Sequence, residues 1–495
     1  MTAGGDDDEL AAVHAWITAR ADFFDAARPV LLARAPGRLD VMGGIADYAG
    51  SLVLELPLAV ATWVAVQSQD APSLVIDSSD ASATGAAGAA VAAAAVAAAA
   101  AVAAVADRRV VIPLEDIVPA APLPYAEARL RLSRDPERAW AAYVAGALVV
   151  LQHEHRHRPR HGLKVLVRSS VPIGKGVSSS AALEVAAFEA LSSIAGLEID
   201  DRALALLAQK VENLVVGAPC GVMDQMTAAC GRRGHLLELL CQPAEIVGHL
   251  ALPPSLELYG VDSGIAHEVS RPEYGTVRAA TFMGYRIIAD VAGLVARAVA
   301  PARVAIEDPR FGGYLANVTP DEWRREFRDA VPEAMTGRDF VERYGGSTDE
   351  ATSIEADRTY AVRAATEHPI LEHDRVRRFR TLLADGATTD EARVSLGQLM
   401  YESHLSYSAC GLGSDGTDRL VAMVREAGPT GGLYGAKVTG GGSGGTVAVL
   451  AAQGRRAAID ELARRYQQET GRAATVFHGS SSGTRPYGLR SFTRL

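Results

Sequence analysis

The sequence predicts an α+β protein of two domains, on three observations. Strand-like and helical patterns interleave along the chain without repeating as regular βαβ units. Its 495 residues exceed the span of one ordinary domain. Apolar residues make up 48% and charged residues 22%, a globular balance that excludes a largely disordered chain.

The elements follow in order. Apolar spacing predicts an amphipathic helix over residues 13–27, then a strand over 29–35 that ends at Pro36. Residues 52–66 read as a long apolar strand interrupted at Pro57. Residues 86–106 are almost pure alanine with scattered valine. They are long enough to span a bilayer but lack the Leu, Ile, Phe and Trp that drive insertion, so they read as a low-complexity insertion. The stretch HEHRHRPRH (153–161) interleaves His153, His155, His157 and His161 with arginines that would repel a cation, so it reads as a solvated connector.

Residues 162–168 alternate like a strand and lead through a glycine loop into a helix over 181–191. A helix over 204–216 and a strand over 256–263 come next, and helices dominate from 274 to 424. A strand over 446–450 and a helix over 455–470 complete the pattern.

Charge and cysteine content narrow the function. The 49 Lys+Arg against 59 Asp+Glu leave a net charge of −10, which argues against a broad nucleic-acid or anionic-membrane surface. Cys220, Cys230, Cys241 and Cys410 show no CxxC pairing and are too few for a disulfide framework. The acidic opening MTAGGDDDEL is the reverse of a signal peptide's basic start, so a cytoplasmic location is expected.

Four segments carry chemistry. In VPIGKGVSSSAALE (171–184), Pro172, Gly174, Lys175 and Gly176 form a loop; Val177, Ser178, Ser179, Ser180 and Ala181 then run into the helix. Glycines let a backbone approach an anion, and a helix start offers free N–H groups and the positive dipole end. One serine suffices for a cap, so two glycines and three serines point to phosphate binding. The sequence GxxxxGK[ST] occurs nowhere, so this is not a Walker loop. ARAPGRLDVMGGIADYAG (33–50) places Arg38, Asp40 and Asp47 close behind an apolar strand. VENLVVGAPCGVMDQ (211–225) sets Glu212 at the edge of a helical stripe and Asp224 where a new helix begins. KVTGGGSGG (437–445) is a glycine-rich loop ahead of a strand.

In this order the segments resemble the GHMP kinases, the relatives of galactokinase, homoserine kinase, mevalonate kinase and phosphomevalonate kinase. Within them GAPCGVMDQ, the stretch MYESHLSYS (400–408) and Asp418 resemble the galactokinase branch. The resemblance implies an S5-domain-2-like N-terminal half (1–245) and a ferredoxin-like C-terminal half (246–495), with the active site between them. It implies Asp224 as the catalytic carboxylate with Arg38 beside it, and ATP on the loop from Pro172 to Ala181. Mg²⁺ would be held by Glu212 and Ser180. Sugar hydroxyls would meet Asp47, Gly221 and Tyr274, with Gly441 and Gly442 of the glycine-rich loop near the substrate. An arginine beside Asp224 makes it a weaker base, which late proton transfer tolerates; Arg38 can also stabilise the transferring phosphoryl group.

One departure bears on substrate. Galactokinases carry Gly-Glu-His-Thr-Asp-Tyr where this chain has Gly43-Gly44-Ile45-Ala46-Asp47-Tyr48, so the Glu that contacts the C6 hydroxyl of galactose is Gly44 here. The expected sugar keeps the galacto ring hydroxyls and has no C6 group, which describes L-arabinopyranose. Ile45 is expected to fill the vacated space and disfavour galactose by about 1–3 kcal/mol of overpacking. RLDVMGGIADY and DSGIAHEVSRPEYGTVRAATFMG (262–284) also resemble the L-arabinokinases of plants, without the extra N-terminal domain found there, so a stand-alone kinase is expected. The alternatives are a galactokinase and a non-catalytic sugar sensor. Partners are then a small sugar and ATP, with no nucleic acid or membrane; the sequence does not separate monomer from homodimer. The adenine site of the family lies near 86–106, so that insertion is expected to modify nucleotide access.

Overall fold

The computed structural model describes residues 4–20, 22–78, 108–266 and 272–492. The expected alanine-rich insertion at 86–106 lies outside them, as do residues 267–271 ahead of Tyr274. A mixed eight-stranded sheet forms the first half, in the order Arg490–Phe492, Val30–Met42, Leu52–Gln69, Gly162–Ser169, Ser73–Ser78, Arg108–Pro113. Branching from it, His235–Leu240 pairs with the start of Leu52–Gln69 and carries Glu245–Ala251 on its other edge. All pairings are antiparallel except that of Ser73–Ser78 with Gly162–Ser169.

Alternation along Val30–Met42 divides its side chains between two cores. Ala33 and Ala35 face the helices Ala142–His155, Ser179–Ile194, Asp201–Lys210 and Met223–Cys230, whereas Val30 and Leu32 pack with Phe23, Phe24 and Ile17. The expected helix over 13–27 is instead Gly4–Thr18. Phe23 and Phe24 are buried from a turn, where Lys164 Nζ donates to the Phe23 carbonyl at 2.5 Å, so their burial mimicked a helical stripe.

Two prolines stand inside strands that were expected to stop or break at them. Val30–Met42 continues through Pro36 because its ladder shifts register between Pro36 and Arg38, where a missing donor costs nothing. Pro57 lies in the gap between two partners of its strand, His235–Leu240 up to Glu55 and Gly162–Ser169 from Thr62.

The second half contains a four-stranded antiparallel sheet, Leu433–Val438, Thr446–Ala452, Leu256–Asp262, Val476–His478. Helices Asp415–Ala427 and Arg456–Thr470 pack on it, as a ferredoxin-like half requires. Its other face joins Leu39, Val41 and Leu54 of the first sheet in a shared apolar cluster with Phe379 and Met400. Within the helical stretch expected over 274–424, a hairpin of Val295–Ala300 and Arg303–Glu307 intervenes. The expected division at 245/246 falls at the first residue of Glu245–Ala251, and the chain returns to the first sheet through Arg490–Phe492. Among the described residues no helix is long and apolar enough to cross a membrane.

Candidate active site

Helix Ser179–Ile194 begins without a side-chain cap. Ser178, at the capping position, takes φ +60°; its hydroxyl donates to Asp224 Oδ2 at 2.5 Å, and its oxygen accepts no N–H of the helix start. The first-turn N–H groups therefore remain available to an anion, together with the positive helix end. Gly174 and Gly176, both at positive φ, shape the preceding loop. Lys175 does not hang free in that loop. Its ammonium lies 2.6 Å from Asp262 of the second sheet, and its carbonyl accepts from Thr446 Oγ1 at 2.7 Å.

Asp224 stands in the first turn of Met223–Cys230. Arg38 grips it with two hydrogen bonds, Nε to Oδ1 at 2.8 Å and Nη2 to Oδ2 at 3.0 Å, while Nη1 donates to the Gly176 carbonyl at 2.6 Å. One guanidinium thus joins the first motif, the phosphate-type loop and the carboxylate. Burial opposes the Arg38 charge, but Asp224, Glu55 and Asp40 outweigh it and hold the group protonated. Side-chain exposure distinguishes the carboxylates here: Asp224 is 20% open, Glu55 0%. Asp224 is therefore the one of the two that solvent reaches.

Behind it, helix Asp201–Lys210 widens into a π turn, Val211–Val216, which carries Glu212. Sequence spacing placed Glu212 at the edge of the stripe; it is buried, as is Glu184 one helix away. Gln225 Nε2 donates to Glu212 Oε2 at 2.6 Å and to Glu184 Oε2 at 3.2 Å, and the Ser180 hydroxyl also bonds Glu212. Burial and mutual repulsion push Glu184 well up; burial and Asp224 push Glu212 up. Glu184 Oε1 is buried with no hydrogen-bond partner. Glu212, Glu184 and Ser180 are hard oxygen donors of the kind Mg²⁺ takes, although among the described residues no three His, Cys, Asp or Glu side chains are grouped to hold a metal ion.

Asp47 sits on the 3-10 turn Gly44–Ala49 and is buried against Gly221. A Cβ on Gly221 would stand 1.7 Å from Asp47 Oδ2, so only glycine permits this approach. Tyr274 packs edge-on against Tyr48 with ring centroids 6.0 Å apart. Arg278 closes the group, held by two bonds to Asp349 at 3.0 and 2.8 Å and one to the Cys220 carbonyl at 3.1 Å. Gly441 and Gly442 are buried in the glycine-rich loop. Ile45 lies in the apolar core with Tyr274, Met283 and Tyr407.

The fold thus brings Arg38, Asp47, Glu212, Gly221, Asp224, Tyr274 and the serine run into one cluster. Sequence reasoning missed Glu184, Gln225, Arg278 and Tyr407. All four lie inside quoted motifs, but no spacing rule separates them from core or surface positions.

The GHMP kinases N terminal domain model matches residues 142–232, the GHMP kinases C terminal model 388–470, and the galactokinase galactose-binding signature 21–68. A galactokinase of Roseiflexus sp. is 30% identical across 69% of this chain and 73% of its own. The chain belongs to the GHMP kinase family, in its galactokinase branch. L-arabinokinase of Arabidopsis thaliana is 42% identical over 94% of this chain, which spans only 47% of that protein's length. In fold the chain resembles Lactococcus lactis galactokinase, solved with galactose, at TM-score 0.67 and 18% identity over 95% of this chain and 99% of that one. It also resembles a mevalonate kinase, at TM-score 0.53 and 13% identity over 92% of this chain and 99% of that one.

Proposed function

We propose that this chain is an ATP-dependent sugar-1-kinase that phosphorylates the anomeric hydroxyl of L-arabinose, giving L-arabinose 1-phosphate and ADP. The kinase reading rests above all on Asp224, held by Arg38 and Ser178 beside an uncapped helix start. Asp224 would orient the anomeric hydroxyl and take its proton as that oxygen bonds the γ-phosphorus and ADP departs. Arg38, tied to the Gly176 carbonyl, would face the charge developing between them. Glu212 and Ser180, with Glu184 behind, would hold Mg²⁺, which when bound neutralises nucleotide phosphate charge.

The substrate reading rests on Gly44, which offers no side chain to an exocyclic C6 group, and on the 42% identity to a plant L-arabinokinase. Asp47, Gly221 and Tyr274 would take the ring hydroxyls. A cytoplasmic location and the two-half division, with the first sheet running to Ala251, belong to the same reading. The test is ADP release across a panel of pentoses and hexoses with ATP and Mg²⁺, with phosphorus NMR to locate the phosphate. The expected result is highest kcat/KM on L-arabinose with the phosphate on C1. Preferential use of D-galactose would turn the assignment to galactokinase, and no turnover with any sugar would leave the sensor reading.

A further inference from the structure

Three consecutive backbone N–H groups enter the sugar-side turn, and each ends on a buried side chain from a different element. Gly43 donates to Glu372 Oε1 at 3.1 Å, Gly44 to Asp40 Oδ1 at 3.0 Å and Ile45 to Tyr407 Oη at 2.8 Å. Glu372 lies on Val362–Ala384, Asp40 on Val30–Met42 and Tyr407 on Asp390–Ala409. Each anchor is itself anchored. Glu372 accepts from Ser403 Oγ and Arg375 Nε, both at 2.7 Å, and Asp40 from Lys437 Nζ at 2.5 Å. The Tyr407 hydroxyl donates to the Gly440 carbonyl at 2.9 Å, joining this turn to the glycine-rich loop.

Tyr407 comes nearest of the three to the space a side chain at position 44 would need. A Cβ on Gly44 would stand 1.6 Å from Tyr407 Oη and 2.8 Å from both Tyr407 Cζ and Asp40 Oδ2. Gly44 also takes φ +48°, which disfavours any side chain. The ring is fully buried, in the apolar cluster that also holds Ile45, Met283 and Leu412. Sequence reasoning gave Ile45 the part of filling the place left by the missing Glu; the side chain that meets that place is Tyr407.

We propose that Tyr407 is a specificity-determining residue of the sugar site: its hydroxyl fills the point where a side chain at position 44 would begin, and so keeps that position bare of any group able to hold an exocyclic hydroxymethyl. This rests on the sugar-kinase reading above and names the residue that enforces its selectivity. Tyr407 acts by position and touches no reacting atom. Substituting Gly44 alone forces the tyrosine and the turn apart, and the turn carries Asp47 three residues on.

The test compares wild type with G44E, Y407A and G44E/Y407A in kcat/KM for L-arabinose and D-galactose, with thermal melts and nucleotide binding as checks on folding. G44E alone is expected to lose about a hundredfold on both sugars. The double variant is expected to raise the galactose-to-arabinose ratio about tenfold or more over wild type. A smaller change of ratio in a folded double variant overturns the proposal. Should that variant melt, G44A and G44A/Y407A serve: relief of the G44A loss by Y407A supports the interlock, and additive losses overturn it. This second comparison is read on whichever sugar wild type uses, so failure of the L-arabinose assignment shows separately, in the wild-type panel.

Discussion

Burial and the neighbouring Asp224 push the Asp47 carboxyl up to about 7, against the opposing pull of Arg278. In the unfolded chain the same group ionises near its ordinary value of 3.8. Between those two pH values the native state holds a proton that the unfolded state has released. Stability therefore falls as pH rises from about 4 to about 7 and levels off above. Replacing Asp47 with Asn removes the buried charge, so at pH 8 the variant is expected to be more stable, by on the order of a few kcal/mol in denaturant unfolding. Its sugar KM should rise and lose its pH dependence. If Asp47 takes sugar hydroxyls as proposed, the wild-type KM is expected to climb below about pH 7, where its carboxylate takes up a proton. Asp47, Arg38 and Asp224 were legible in the sequence because motif spacing names them. Arg278, which tempers Asp47, was not: it lies on helix Pro272–Val291, and only the fold turns it toward Tyr48.

Individual elements explain why a serine run was ambiguous as text. A cap and a phosphate loop share residue types, and the two part only in backbone geometry. Ser178 at φ +60° makes no cap bond and reaches Asp224. Ser178→Gly is therefore expected to leave stability unchanged or raise it by up to about 1 kcal/mol, because glycine relieves the left-handed conformation. A true cap would lose only a few tenths on the same change. Activity should fall in parallel with the lost Ser178–Asp224 bond, so unfolding curves and kcat together separate the roles. The strands flanking the alanine-rich insertion suggest another element-level test. Ser78 and Arg108 are ladder partners, so a short turn of about 2–4 residues can close the hairpin in place of 79–107. The melting temperature is expected to hold while the KM for ATP shifts; an unchanged KM would separate the insertion from nucleotide access. The π turn at Val211–Val216 also escaped the sequence, since a helical stripe reads the same up to the point where the turn widens.

Across the whole molecule, the two halves are joined by buried polar contacts as well as by an apolar seam. Asp40 and Lys437 form an ion pair with both side chains 0% exposed, linking the first motif's strand to the second sheet. Removing one partner strands the other charge, so Lys437→Met is expected to cost about 3–5 kcal/mol in denaturant unfolding. The loss should be nearly insensitive to salt, because a pair this deep is poorly screened. Lys175 and Thr446 fasten the phosphate-type loop to the same sheet. The candidate site is thus tied to both halves. Lys437 was visible in the motif KVTGGGSGG, but its partner stands 397 residues away, beyond any local pattern.

The sequence by itself determined the family, the alternation that makes the strands and the candidate site residues, because these depend on residue type at short spacing. It misplaced the first helix and stopped strands at prolines, because partner strands decide whether a missing N–H matters. Only the tertiary structure decided which side chains surround the sugar-side turn: Glu372, Asp40 and Tyr407 converge on three successive N–H groups from three separate elements. Burial makes an unpaired backbone donor costly, so the turn's shape follows from partners distant in the chain.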